Sequence, residues 1–380
     1  MRRAKSFINF NTNQPENTRS VGKPRVLVVP LDWGLGHTTR CIPVIKELLN
    51  QGAEVFAAGT DAQKRVLIAE FPGLPFLDLP GYEISYSWSK RGFAWRILRQ
   101  LPKINRAIQS EKQWLAKMLQ EYHFDFIISD NRFGLYTSLV PCIFITHQLS
   151  IQSPFGTWSE KILQKWNYRQ INRFTECWIP DNRSDESLAG ELSHPAIMPV
   201  TPIRYIGHLS RFEEKISGKK NNHLLVILSG PEPQRTLLED KIINALVYYN
   251  GTAEVVRALP TTEKFMPSTN QLHFYNHLTA AELNEKIMEA EFVISRCGYS
   301  TVMDLVKLKK KSILIPTPGQ TEQEYLATYL SEKGIAYCVS HDDFSLEKDI
   351  AKARQFPYRF PSSNDASLKE AITELLKRRQ

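Results

Sequence analysis

Pro24-Arg25-Val26-Leu27-Val28-Val29-Pro30-Leu31, then Asp32-Trp33-Gly34-Leu35-Gly36-His37, then residues 38–52 read as a buried strand, a glycine turn and an amphipathic helix. The apolar run is strand-sized, the next stretch spaces its apolar residues for one helical face, and Gly52 supplies a C-terminal stop. Working outward, residues 53–59 repeat the strand and 61–71 the helix, with further strands at 124–130, 142–148, 177–181 and 203–207. Strands that alternate with helices lie parallel, with helices on both faces of the sheet: a doubly wound α/β arrangement.

The rhythm begins again after a polar, basic segment at 208–222. Strands are expected at 223–230, 253–259, 271–276, 291–296 and 311–317, with helices at 235–249, 280–291, 300–308 and 320–334. The expected organisation is a flexible leader (1–23), a Rossmann-like domain (24–207), a linker (208–222) and a second Rossmann-like domain (223–380). The last helix of the chain is able to pack back on the first domain. Two such domains facing one another form a cleft, and ligands of such sheets sit beyond the carboxyl ends of the strands.

Bulk properties agree with this division. A chain of 380 residues is comfortable as two domains, and 42% hydrophobic with 23% charged residues is a globular composition. No apolar run approaches the ~20 residues that span a bilayer. The N-terminus has basic residues without an apolar core, unlike a signal peptide. Five scattered cysteines without a C-x-x-C pair argue against a disulfide framework and a zinc site, so the expected location is the cytoplasm. A net charge of +8 asks for an anionic partner.

The chemistry is expected in loops that leave strands. Gly34 and Gly36 open a helix N-terminus whose amides suit an anion or a sugar hydroxyl. The dinucleotide fingerprint is incomplete there, which disfavours a nicotinamide enzyme. His37, at the mouth of the loop, either accepts a proton from a hydroxyl or caps the helix. In the second half, Ser295-Arg296-Cys297-Gly298-Tyr299-Ser300-Thr301-Val302-Met303-Asp304 leaves a strand and enters a helix. Gly298 permits close approach of a ligand, the amides at Ser300 and Thr301 suit phosphate, and Asp304 suits the hydroxyls of a ribose. Pro316-Thr317-Pro318-Gly319 leads into Gln320-Thr321-Glu322-Gln323-Glu324, whose amides and carboxylates suit sugar hydroxyls.

In this order the motifs resemble glycosyltransferase family 28 of the two-Rossmann (GT-B) class, over residues 24–333 and most strongly in the C-terminal half. The family includes the transferase that adds N-acetylglucosamine to the peptidoglycan lipid precursor. The glycine loop ending in His37 matches the family's first motif, and its S-R-x-G-x-x-T-x-x-E becomes Ser295 through Asp304. The resemblance implies that Asp304 binds the donor ribose. It also implies that the Pro316 loop, with Gln320, Gln323 and Glu324, touches the donor sugar. The activity implied is an inverting, metal-independent transfer from a UDP-sugar to an acceptor hydroxyl, with His37 as base and no cofactor. The acceptor is unknown, a lipid-linked one at the inner face of the cell membrane being one option.

The chain departs from the family in places. Asp304 is shorter than the usual Glu, Glu324 replaces a second Gln, and the usual G-G-S-x-G phosphate loop is Ser229-Gly230-Pro231-Glu232-Pro233-Gln234-Arg235. The prolines remove amides, leaving Gly230 with Arg235, and Arg296, as candidate diphosphate contacts. The segment Gly34 to Arg40 also looks like the UDP-sugar hydrolase of pseudaminic acid synthesis. A hydrolase or epimerase on the same fold, and a non-catalytic nucleotide-sugar or carbohydrate binder, are the alternatives.

Asp130 and His147 follow strands of the first domain, where they orient an acceptor, assist His37, or merely bond to backbone. His341-Asp342-Asp343 looks metal-like but more simply starts a helix. Between 81 and 120, eight Lys/Arg stand against two acids. Trp88 and Trp95 among these cations fit either peripheral contact with an anionic membrane or a packed helix with a basic face. Nucleic acid is not expected, because no binding motif accompanies the charge.

Overall fold

The structure, a computed structural model, describes residues 22–82, 90–153, 155–184, 186–214, 218, 220–230, 232–259, 265–362 and 366–379, with the backbone alone for 90–101. Most of the expected leader, and part of the linker, lie outside the described residues.

The first domain runs β1 (Arg25–Pro30), α1 (Leu35–Asn50), β2 (Glu54–Gly59), α2 (Asp61–Glu70), β3 (Phe76–Asp78), α3 (Lys90–Glu121), β4 (Phe126–Asp130), β5 (Cys142–Ile145), α4 (Thr157–Ile171), β6 (Glu176–Ile179) and β7 (Ile203–Tyr205). Its strands form a seven-stranded sheet in the order β3-β2-β1-β4-β5-β6-β7, every pair parallel. The second runs β8 (His223–Ile227), α5 (Gln234–Leu246), β9 (Thr252–Val256), β10 (Leu272–Tyr275), α6 (Ala280–Glu289), β11 (Phe292–Arg296), α7 (Tyr299–Lys307), β12 (Ser312–Ile315), α8 (Thr321–Glu332), β13 (Tyr337–Cys338), α9 (Leu346–Gln355) and α10 (Ala366–Lys377). It is a six-stranded parallel sheet ordered β10-β9-β8-β11-β12-β13. In each sheet the order reverses beside the first strand, between β1 and β4 and between β8 and β11. That switch point is where such sheets take ligands.

Successive side chains of a strand point to opposite faces, and both faces here are apolar. Val26 and Val28 enter one core while Leu27 and Val29 enter another. Leu225 and its neighbours Leu224 and Val226 divide in the same way. One core crosses the domain boundary. It joins Val28, Leu48 and Trp178 of the first domain to Met303 and Leu326 of the second, and includes Ile372 and Leu375 of α10. α10 lies on the first domain, where Gln51 Nε2 donates to the Lys369 carbonyl (3.1 Å) and Arg378 pairs with Glu176 (2.7 Å).

Part of the basic stretch becomes the 32-residue helix α3. Ile104 and Ile108 are buried along it, while Lys103 and Arg106 are exposed. The expected membrane-contact segment 88–106 rests mostly on side chains outside the described residues. Among the described residues, no helix is long and apolar enough to cross a membrane.

Because one core serves both domains, Ile372→Ala is expected to cost about 2–5 kcal/mol, the usual range for truncating a buried aliphatic side chain. Urea unfolding followed by tryptophan fluorescence and by far-ultraviolet circular dichroism should shift as one transition. Two separated transitions would show that the domains fold independently.

Candidate functional site

At the exit of β1, Gly34 caps α1 with φ +82°, a conformation that suits glycine, and its N–H donates to the Asp32 carbonyl at 2.8 Å. Arg132, fully buried behind this loop, donates to the Pro30 carbonyl (3.0 Å) and pairs with Glu111 (3.2 Å) and Asp32 (3.4 Å). The loop is therefore held from behind. His37 is the third residue of α1 and does not cap the helix. Its Nδ1 lies 3.1 Å from Oδ1 of Asp130, the last residue of β4, which stands beside Pro30 in register.

Asp130 is wholly buried, and its partners are side chains, not backbone. Arg40, one turn after His37, grips both carboxylate oxygens, with Nε 2.7 Å from Oδ2 and Nη2 against Oδ1. Cys41 Sγ adds a contact to Oδ2 at 3.4 Å. Burial alone would raise the Asp130 pKa, but the Arg40 guanidinium and His37 hold it well below the usual carboxylate range. An ionised carboxylate only accepts, so His37 presents Nδ1–H to it and keeps Nε2 as a bare lone pair. Burial, then Arg40, lowers the His37 pKa, and Asp130 opposes both. His37 is 16% exposed, so the lone pair is within reach of a ligand.

The second domain closes over this cluster. Ser300 Oγ, in the first turn of α7, donates to the Gly36 carbonyl at 3.0 Å, so the two glycine motifs touch. Tyr299 donates its hydroxyl to the Pro180 carbonyl (2.7 Å) and stacks on His147, ring centroids 4.1 Å apart and planes within 6°. His147 lies between Arg40 (Nη1 to Nδ1, 3.2 Å) and Glu322 of α8 (Nε2 to Oε1, 2.7 Å). Burial pushes the Glu322 pKa up, but His147 and then His37 and Arg40 bring it below the ordinary value. Further across the boundary, Thr321 donates to the Gln152 carbonyl (2.9 Å) and Tyr329 to that of Ser187 (3.1 Å).

His37, Asp130 and His147 thus converge from separate strand exits, with Gly34, Gly36 and Ser300 beside them. Gly298 and Gly230 lie at the exits of β11 and β8, and at Gly298 no atom stands within 4 Å of the place a Cβ would occupy. Thr301 is half-buried in the first turn of α7.

Several expected donor contacts have partners within the protein. Arg235 points at Glu232 (2.6 Å) and Glu239 (3.1 Å). Arg296, fully buried, donates to the Pro316 (3.1 Å) and Gln234 (2.6 Å) carbonyls, bracing two loops from beneath. Gln323 Oε1 accepts from Thr317 N–H (2.8 Å), its amide meets the Gln320 side chain, and Glu324 accepts from Gly319 N–H (2.9 Å). These side chains shape the loop after β12. Asp304 accepts from Ser210 Oγ at 2.6 Å, against the segment that joins the domains. Lys241 donates to the carbonyls of His341 and Asp342, and among the described residues no three His, Cys, Asp or Glu gather to hold a metal ion. Arg40, Tyr299 and Glu322 were not singled out as site residues from the sequence. Arg40 had a local signal, standing three residues from His37 on one helix face. Glu322 lay in the loop read for sugar hydroxyls, but nothing local tied it to His147, since acids are ordinary in a first helical turn.

Residues 252–378 match the glycosyltransferase family 28 C-terminal domain. An uncharacterized glycosyltransferase of Methanosarcina mazei is 23% identical over 335 residues, 83% of this chain and 86% of the relative. The UDP-N-acetylglucosamine–N-acetylmuramyl-(pentapeptide) pyrophosphoryl-undecaprenol N-acetylglucosamine transferase of Rickettsia massiliae is 35% identical over 94 residues, and the match spans 24% of each protein. Among solved structures, the spinosyn rhamnosyltransferase complexed with thymidine diphosphate superposes with a TM-score of 0.58. It shares 14% identity, over 93% of this chain and 95% of that one. The two sheets therefore make a GT-B fold.

Replacing Arg40 by Met leaves the Asp130 carboxylate buried without its cation, held only by His37 and Cys41, so unfolding in urea is expected to show a loss of about 3–5 kcal/mol. An unchanged midpoint would mean that water reaches the carboxylate. Asp304 gives a pH dependence of known sign. Burial raises its pKa from 3.8 to about 6, although Arg211 and Ser210 pull it down. The folded protein then binds the proton more tightly than the unfolded chain, so this group's contribution falls as pH rises from about 4 to 6. Asp304→Asn is expected to remove that loss: its stability relative to wild type should rise across the window and level off above it. A difference that stays flat would show an unshifted carboxyl.

Proposed function

From a C-terminal domain of the glycosyltransferase family 28 type on a GT-B fold, we infer that the protein transfers a sugar from a nucleotide-sugar donor to an acceptor hydroxyl. The observation that carries this is His37. Its Nδ1–H is committed to a buried carboxylate, its Nε2 is bare, and its loop touches the first turn of α7, the helix of the donor motif. In the proposed reaction, Nε2 takes the acceptor proton as the oxygen attacks the anomeric carbon from the side opposite the nucleotide, inverting that centre. The proton leaves the acceptor O–H for Nε2, the new glycosidic C–O bond forms, and the bond to the diphosphate breaks. Asp130 orients the ring and stabilises the imidazolium, as a triad carboxylate does.

The departing diphosphate is met by the amides that open α7, which makes the proposed reaction metal-independent. A UDP-sugar is the proposed donor and Asp304 the proposed ribose ligand, its carboxylate exchanging the Ser210 hydroxyl for those of the sugar. The Rickettsia massiliae relative is named for a pyrophosphoryl-undecaprenol acceptor. That name supports a lipid-linked hydroxyl for this chain too, reached at the cytoplasmic face of a membrane.

His37→Ala is expected to lower turnover by ~10²–10⁴-fold, the usual contribution of a positioned base, while calorimetric binding of the nucleotide sugar stays close to wild type. Near-full turnover would place the base elsewhere. Release of free sugar without an acceptor, at the wild-type rate of transfer, would make water the acceptor and the protein a hydrolase.

A further inference from the structure

We propose that Glu322, carried by the second domain, is a positioning residue that fixes the tautomer of His147 and, through Arg40 and Asp130, sets the proton affinity of His37. The proposal rests on the reading of His37 as the base. In this arrangement the base is complete only when the two domains are closed.

Donor and acceptor capacities lead from one residue to the next. Arg40 has only N–H groups to offer, so His147 Nδ1, 3.2 Å from Nη1, must be the acceptor. The ring proton of His147 is then on Nε2, which donates to Glu322 at 2.7 Å. A doubly protonated ring would face Arg40 donor to donor. Tyr299 fixes the plane of the ring by stacking on it, and is itself tied to Pro180. His147, so held, keeps Arg40 Nη1 in place while Nε and Nη2 stay on Asp130, and Asp130 takes the Nδ1–H of His37. This is the logic of a triad carried three residues further and across a domain boundary.

The charge count points the same way. The titratable and charged groups of the cluster are His37, Arg40 and Cys41 of α1, Asp130 of β4, His147 after β5 and Glu322 of α8, with the ionised Asp181 beyond it against Tyr299 of α7. With both histidines neutral and the thiol protonated, Asp130, Arg40 and Glu322 sum to −1. Proton uptake by His37 brings the cluster to zero. Without Glu322 the same uptake would take it from zero to +1. Glu322 therefore makes His37 a stronger base, and it stands in the loop that the family resemblance assigns to the donor sugar.

The test uses the full chain with isotope-labelled histidines, the signals of His37 and His147 being assigned by loss in His37→Ala and His147→Ala. In wild type, His147 should show the Nε2–H tautomer. In Glu322→Gln the His37 titration midpoint should fall by on the order of half a pH unit. The acidic limb of kcat/KM should move with it, the KM for donor changing little. Glu322→Asp keeps the charge and should recover most of the shift, and it serves as well if the Gln variant folds poorly. An Nδ1–H tautomer for His147, or a His37 midpoint unmoved in Glu322→Gln, would overturn the proposal. Absence of turnover with every nucleotide sugar would count against the transferase function alone, since the tautomer and midpoint are read without it.

Discussion

A carboxylate shut away from water has to be neutralised where it stands, and Asp130 is such a group. It ends β4 at the point where the strand order of the first sheet reverses, and Arg40 reaches it from α1 with two of its nitrogens. The pair fixes the rotation of α1 about its axis, and so fixes His37 one turn earlier. Well-packed apolar residues could fill the same volume with no loss of stability. What the ion pair adds is arrangement: an acceptor beside His37 and a donor beside His147, which dictate which nitrogen of each histidine carries a proton.

In front of the shared apolar core, the closed boundary carries a set of weak, exchangeable contacts. Hydroxyls of Ser300, Tyr299, Thr321 and Tyr329 each meet a backbone carbonyl of the first domain. Such bonds contribute about 1 kcal/mol apiece, and sugar hydroxyls can satisfy the same groups. Gly36 shows how close the approach is, since a Cβ there would lie 3.1 Å from Ser300 Oγ. A boundary of this kind can yield to a ligand locally while the apolar core behind it stays closed.

The architecture was legible because its signals are local. Unbroken apolar runs, helical spacing and glycine stops lie within a dozen residues of one another, and they located nearly every strand. The three-residue β3 and the two-residue β13 were too short to carry such a signal. The site was half legible. Strand exits singled out His37, Asp130 and His147, but their joining spans 93 residues from His37 to Asp130 and 175 from His147 to Glu322. No local pattern encodes such a pairing. Arg235 turns to neighbours that were in view: Glu232 and Glu239 stand three and four residues away, where ion pairs form along a helix. Gln323 and Glu324 show the same competition, their side chains turning back to the amides of their own loop before any ligand arrives.

α10 belongs to the second domain by chain order and to the first by contact. Two domains joined by a linker invite recombination, in which one half of a chain is grafted onto the other half of a relative. Here a cut at the linker would part α1 from α10, which packs against it, and leave an apolar scar on both fragments. The first structural unit is therefore discontinuous: the first sheet together with the last helix. Any exchange that respects the physics must move both.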